Sequence, residues 1–256
     1  MKGTREVGRQ FIELASVDST NKYAAARLAA GGLRHGAVIL AHSQVAGVGQ
    51  RGRVWQMAPG LDIALSVVLL PDALPVAVHF AVSKMAALAV HDVVAEALVA
   101  AGRSADAVRI KWPNDILVGR RKVSGILISN EVTGSFVQAC IVGVGLNVNS
   151  TDLDEAFAAT SLRTETGHEV DRMAFVERLC QRIEERWDRL VSDPQALDAD
   201  YAARLWMKGR FADLELDGRS YQARPVDVEP DGRLLVEEPG GAVLAYGLDR
   251  LRFAPR

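Results

Sequence analysis

Lys111-Trp112-Pro113-Asn114-Asp115 is followed closely by Lys122-Val123-Ser124-Gly125-Ile126-Leu127. Val108 to Lys111, Ile116 to Val118 and Val123 to Ser129 are short apolar runs of strand character. The lysines and the Asn-Asp pair therefore gather around one strand hairpin closed by a tight turn. Trp-Pro-Asn-Asp alone is explained by a turn in which proline fixes φ and Asn or Asp bonds back to the main chain. Lys122 alone is explained as a solvated lysine beside Arg120 and Arg121. Their joint occurrence, with Lys-x-x-Gly-Ile spacing to Gly125 and Ile126, is harder to reduce to those terms.

Working outward, residues 21 to 30 read as an alanine-rich helix stopped by Gly31-Gly32, and Ala37 to Ala41 as a short buried strand. A polar, Gly-rich loop leads to a strand over Leu61 to Leu70. A long buried helix follows Pro75, runs to Ala101 and ends at Gly102, and another strand covers Phe136 to Val144. Phe175, Leu179, Ile183, Trp187 and Leu190 recur at helical spacing within 171 to 192, Asp193-Pro194 breaks the pattern, and a further helix reaches Leu205. Beyond it, short runs separated by Asp217-Gly218, Asp231-Gly232 and Gly240-Gly241 read as hairpins of a self-contained antiparallel β module. The expectation is an α+β fold, a mixed sheet with flanking helices over residues 1–205 and a small β domain over 206–256.

A chain of 256 residues can bury such a core. With 30 basic and 32 acidic residues its net charge announces no nucleic-acid partner, although Arg51, Arg53, Lys111, Arg120, Arg121 and Lys122 are candidates for a local basic patch. Met1 to Glu6 has no signal-like apolar core, and Ala64 to Leu70 is cut short by Pro71-Asp72, so a cytoplasmic protein without a membrane segment is expected. Cys140 and Cys180 read as buried free thiols. His35, His42, His79, His91 and His168 are scattered without metal-ligand spacing, so no residue is assigned to a metal.

Gly47-Val48-Gly49-Gln50-Arg51-Gly52 satisfies the G-x-G-x-x-G pattern, but Arg53-Val54-Trp55 leads to Pro59-Gly60 and a strand where a dinucleotide fold would open a helix. Glycines, free backbone N–H groups and cations still suit a phosphate-bearing ligand. Gln44 to Trp55 resembles the Gln-Thr-x-Gly-Arg-Gly-Arg-Arg-Gly-Arg-x-Trp loop of the biotin protein ligases, as the Lys111–Asp115 and Lys122–Leu127 segments resemble that family's signature. Val45, Val48 and Gln50 depart from the pattern, while Arg51 and Arg53 keep it.

Asp18-Ser19-Thr20-Asn21 reads first as a helix N-cap with a side-chain oxygen accepting an N–H. The resemblance adds contacts to the ureido ring and carboxylate side of biotin. Gly143-Val144-Gly145-Leu146-Asn147 resembles the family's Gly-x-Gly-Ile/Leu-Asn strand, and Ser66 a position near its site.

The resemblance implies a class II synthetase-like biotin/lipoate ligase fold with a C-terminal SH3-like barrel. Its implied chemistry is ATP- and Mg²⁺-dependent formation of biotinyl-5′-AMP, followed by transfer of biotin to a lysine of the carboxyl carrier domain of acetyl-CoA carboxylase or a related carboxylase. The first step needs alignment and cationic stabilisation of charge on the phosphates, for which Lys122, Arg51 and Arg53 are candidates. The second must remove a proton from a lysine of free pKa about 10.4, for which Asp115, oriented by Asn114, is the candidate. Biotin or adenylate contacts are assigned to Ser19, Thr20, Asn21, Gln44, Val48, Gly49, Gln50, Arg53, Trp55, Lys111, Asn114, Gly125, Ile126, Gly143, Gly145 and Asn147.

No helix-turn-helix domain fits ahead of Phe11, so the class without a DNA-binding domain, and no DNA partner, is expected; monomer and homodimer stay open. Two rivals stand beside this reading. One is a lipoate or octanoate ligase-like enzyme, whose octanoyl-transferase form needs a nucleophilic cysteine. The other is a non-catalytic biotin- or adenylate-binding module, favoured by the missing arginines at positions 48 and 50.

Overall fold

The computed structural model describes residues 5–153 and 158–254. Its strands begin with β1 (Phe11–Leu14), β2 (Ala37–Ala41), β3 (Ile63–Leu69) and β4 (Leu74–Pro75) and continue with β5 (Val108–Lys111), β6 (Asp115–Val118), β7 (Arg121–Thr133) and β8 (Phe136–Leu146). They form one sheet in the order β1-β2-β3-β8-β7-β6-β5, with β4 on β8; β1 runs parallel to β2 and the remaining neighbours antiparallel. The helices are α1 (Thr20–Ala29), α2 (Phe80–Ala100), α3 (Leu162–Thr166), α4 (Arg172–Ser192) and α5 (Asp198–Arg204).

Alternation along each strand sends side chains to opposite faces. Val38, Leu40, Leu65, Val67, Val142 and Val144 belong to the main core with α2, while Ala37, Ile39, Val68 and Ile141 form a smaller cluster with Ala24 of α1. All seven residues of β3 are buried because both faces are covered, which is why it reads as a continuous apolar run. Helix α2 is apolar around most of its circumference and lies between the sheet and α4, which presents to the core the five residues expected from their spacing.

The last fifty residues form β9 (Ala212–Leu216), β10 (Arg219–Val228), β11 (Leu234–Glu237), β12 (Val243–Tyr246) and β13 (Leu251–Phe253), an antiparallel sheet in the order β12-β11-β10-β9-β13. β10 pairs with β9 along its first half and with β11 along its second, with a register shift against β11 between Pro225 and Asp227, an arrangement that fits the expected SH3-like barrel. The module packs directly onto the large sheet. Leu214, Leu234, Val236 and Phe253 belong to the same apolar cluster as the large sheet. The Trp112 indole donates to the Gly232 carbonyl at 2.9 Å, and Trp206 N–H donates to the Ile110 carbonyl at 2.8 Å. Four elements escaped the sequence reading: β1, β4, α3 and β13, each no longer than five residues.

Candidate active site

The face of the sheet that carries α1 also carries the polar site. Along β8, Val142, Val144 and Leu146 point into the main core, so Gly143 and Gly145 point the other way; Gly125 of β7 pairs with Gly145, and Asp115 of β6 pairs with Gly125. The glycines make a bare floor on which other groups lie. A Cβ on Gly143 would overlap the Asn21 amide, and one on Gly145 would overlap the Trp55 indole. A Cβ on Gly125 would stand 3.0 Å from Lys122 Nζ and 3.1 Å from the Trp55 ring.

Lys122 and Asp115 meet at 2.6 Å, both partly exposed, and the Lys122 ammonium lies 5.4 Å from the centre of the Trp55 ring. Their approach depends on an irregularity in the hairpin: Leu117 pairs with Lys122 but Ile116 with Ser124, so one residue of β7 is left over. Such a bulge bends a strand and re-aims its side chains. The turn joining the two strands is the tight one the sequence implied, with Gly119 at φ 61°.

Several expected residues gather around this pair in ways the sequence did not show. Ser19 is the N-cap of α1, yet its side chain makes no capping bond. The Gln44 Oε1 replaces it, accepting from Thr20 N–H at 2.8 Å and from Thr20 Oγ1 at 3.2 Å, so the Gly-rich loop is fastened to the first turn of α1. The Asn21 amide donates to the Leu127 carbonyl at 3.1 Å and accepts from Ser66 Oγ at 2.6 Å. Asn114 does not bond to Asp115 as expected; its amide donates to the Ile126 carbonyl at 2.6 Å and clips β6 to β7.

Within the loop, Val48 bridges to Val54, Gly49 N–H donates to the Arg53 carbonyl at 2.7 Å, and Trp55 N–H donates to the Gly47 carbonyl at 2.9 Å. The loop folds back on itself and delivers Trp55 to the glycine floor. The buried Trp55 Nε1 has no hydrogen-bond acceptor among the described residues. Arg51, at the tip with φ 57°, and Arg53 are exposed and form no ion pair with a described residue; Gln50 is half-buried. Lys111 goes elsewhere: its ammonium lies 5.9 Å from the centre of the Trp206 ring and 5.5 Å from that of Phe253, at the junction with the C-terminal sheet. Asn147 is buried and donates to the Thr160 carbonyl at 3.0 Å.

The expected basic patch is thus partly neutralised from within, since Lys122 pairs with Asp115 and Arg121 with Glu165. Burial pushes the Cys140 thiol up to about 12 and the Cys180 thiol up to about 11, the opposite of what a nucleophilic cysteine requires.

The glycine floor, the lysine–aspartate pair at its edge and the loop carrying exposed arginines stand together beside the first turn of α1. The chain belongs to the Biotin/lipoate A/B protein ligase family, whose profile matches residues 13–147. Among its relatives are a biotin–(acetyl-CoA-carboxylase) ligase of Mycobacterium tuberculosis, 34% identical over 94% of this chain and 88% of that protein, and one of Paracoccus denitrificans, 40% identical over 68% of this chain and 71% of that protein. The Aquifex aeolicus biotin protein ligase solved with biotin and ATP shares the fold, with a TM-score of 0.75 at 24% identity over 96% of this chain and 100% of that one.

Proposed function

We propose that this protein activates biotin with ATP as biotinyl-5′-AMP and transfers the biotinyl group to a lysine of a biotin carboxyl carrier domain. The observation that carries this reading is the Lys122–Asp115 pair held at 2.6 Å beside the Gly125–Gly145 floor. The glycine floor lets the Trp55 indole lie close against the sheet, an apolar face that suits the ring carbons and chain of biotin, and the Thr20, Asn21 and Ser66 groups suit its neutral polar head.

In the first step the biotin carboxylate attacks the α-phosphorus of ATP and pyrophosphate leaves with the bond electrons. Lys122, released from Asp115, stabilises charge on the phosphate oxygens, and Arg51 and Arg53 reach the polyphosphate when the loop closes. In the second step Asp115 accepts the proton that the carrier lysine loses as its nitrogen attacks the mixed anhydride and AMP departs. Mg²⁺ delivered with ATP would neutralise further charge on the phosphates; no group of three metal-binding side chains is found among the described residues, so no protein ligand is assigned to it.

The proposed division of labour places this chemistry in residues 1–205 and gives 206–256 a supporting role, in a protein of the cytoplasm. No described helix is long and apolar enough to cross a membrane. Buried, high-pKa thiols disfavour the cysteine-dependent octanoyl-transfer alternative.

The test is incubation with ATP, Mg²⁺, an apo carrier domain and either biotin or lipoate. Pyrophosphate release and a mass increase on one carrier lysine with biotin alone are expected. Modification only with lipoate would overturn the substrate, and binding of biotin without pyrophosphate release would leave a non-catalytic module.

A further inference from the structure

The residue that fixes Lys122 from behind is not one that the family signature brings forward. Because β7 bulges at this point, Lys122 makes its main-chain bonds to a segment other than β6: its N–H donates to the Ala158 carbonyl and its carbonyl accepts from Thr160 N–H, both at 2.8 Å. Residues 158–160 therefore act as a short parallel splint, pairing Lys122 with Ala159. Any shift of the splint would move the lysine with it.

What holds the splint is Glu165, whose side chain is only 1% exposed. Its Oε1 accepts from Thr160 Oγ1 at 2.7 Å and from Arg121 Nη2 at 2.5 Å, while its Oε2 pairs with Arg103 Nη1 at 2.6 Å. Arg121 immediately precedes Lys122, and Arg103 lies just beyond the end of α2. One carboxylate thus ties the splint, the start of β7 and the end of the main core helix together. The Thr160 carbonyl is held in turn by the Asn147 amide, and Asn147 N–H donates to the carbonyl of Val123 in the bulge. A buried carboxylate is costly without counter-charges, and two arginines supply them here.

We infer that Glu165 is a positioning residue for Lys122, holding the bulged segment of β7 so that the lysine faces Asp115 and the glycine floor. The inference rests on the proposed adenylation for its kinetic consequence but not for its structural one. Replacing Glu165 by Gln keeps an acceptor for Thr160 and most of the shape, yet removes the charge that gathers Arg121 and Arg103. Thr160→Val leaves that ion-pair network complete and removes only the hydroxyl that links it to the splint.

The test combines single-turnover adenylation with a readout that needs no substrate. Glu165→Gln is expected to slow pyrophosphate release ten-fold or more, with biotin affinity within two-fold of wild type, and Thr160→Val to slow it several-fold. In a Lys122→Ala background neither change should cause a further loss beyond two-fold, since residues acting through one another are not additive. Competitive acetylation with acetic anhydride, read by mass spectrometry, should show a changed rate at Lys122 in both variants while Lys22 and Lys208 remain unchanged.

Adenylation within two-fold of wild type in both variants, or equal losses with and without Lys122, would overturn the inference. Unchanged Lys122 acetylation in folded variants would do the same even if the wild-type protein proved to form no adenylate. If Glu165→Gln unfolds, Thr160→Val decides by the same criteria.

Discussion

At the scale of the residue, the site is built from absences as much as from functional groups. Gly145 has no side chain because the Trp55 indole lies where its Cβ would be. Gly145→Ala is therefore expected to push Trp55 off the floor, changing intrinsic fluorescence and weakening biotin binding at least ten-fold by calorimetry; wild-type values for both would show that the loop has room to adjust. Gln50 raises a different question. The resembling loop carries an arginine at this position, and an amide offers neutral hydrogen bonds where a guanidinium offers charge-assisted ones to a phosphate, roughly twice as strong. The difference is about 1–2 kcal/mol, or about ten-fold in retention. Gln50→Arg should slow dissociation of biotinyl-adenylate in a ligand chase, and an unchanged off-rate would mean that Arg51 and Arg53 already hold it.

At the scale of the element, helices α2 and α4 are joined by a ladder of ions above their apolar contact. Glu96 is bracketed by Arg178, at 2.8 Å, and Arg182, and Asp92 pairs with Arg186 at 2.7 Å. The hydrogen bond from Arg178, joined by Arg182, holds the Glu96 carboxyl below its ordinary value of 4.5. A folded-state value below the unfolded one means that the pair contributes stability above about pH 4.5, lost as pH falls through the lower folded value. Glu96→Gln should therefore lower Tm at pH 7 and flatten its fall between pH 5 and 3. An acid limb identical to wild type would assign that loss to other carboxylates. On the alkaline side, burial raises the Cys140 and Cys180 thiols above their ordinary 9.0, so their contribution is complete below pH 9 and declines above it, alongside that of the buried Tyr201 hydroxyl, which burial also raises. Neither thiol should react measurably with iodoacetamide at pH 8 until the protein is unfolded.

At the scale of the whole molecule, the C-terminal sheet acts as a buttress for the signature strand. Ile110, Lys111 and Trp112 each contact Trp206, Phe253 or Gly232. Lys84, buried in α2, pairs with Asp198 at 2.8 Å and donates to the Val228 carbonyl at 3.1 Å, tying α2, α5 and β10 together. A shared core of this kind should unfold in one transition. Gly232 is the point at which this is easiest to test, because its φ of +93° and the Phe80 ring beside it both exclude a Cβ. Gly232→Ala should lower the melting temperature of the whole protein, read identically by circular dichroism and tryptophan fluorescence. Two separated transitions would show that the sheets fold independently.

Local patterns located most of the elements and the motifs pointed to the family, while β1, β4, α3 and β13 were too short to show a period. Period-2 and helical spacing located β2, β5 and α4 within a residue or two, since burial of one face or both imposes that spacing locally. The Lys122–Asp115 hairpin was legible for the same reason: Pro113, Asn114, Asp115 and Gly119 are local turn chemistry. The partners of the side chains emerge only once the chain is folded. Gln44 capping α1 in place of Ser19, Asn114 bonding to Ile126 and Lys111 lying on Trp206 are contacts across sheets and loops. Glu165 stands 43 residues beyond Lys122 in a helix too short to show a period, and its importance comes from Thr160, Arg121 and Arg103 converging on it. Local spacing records which face a residue turns inward; it does not record what waits there, because that is set by elements folded in from elsewhere in the chain.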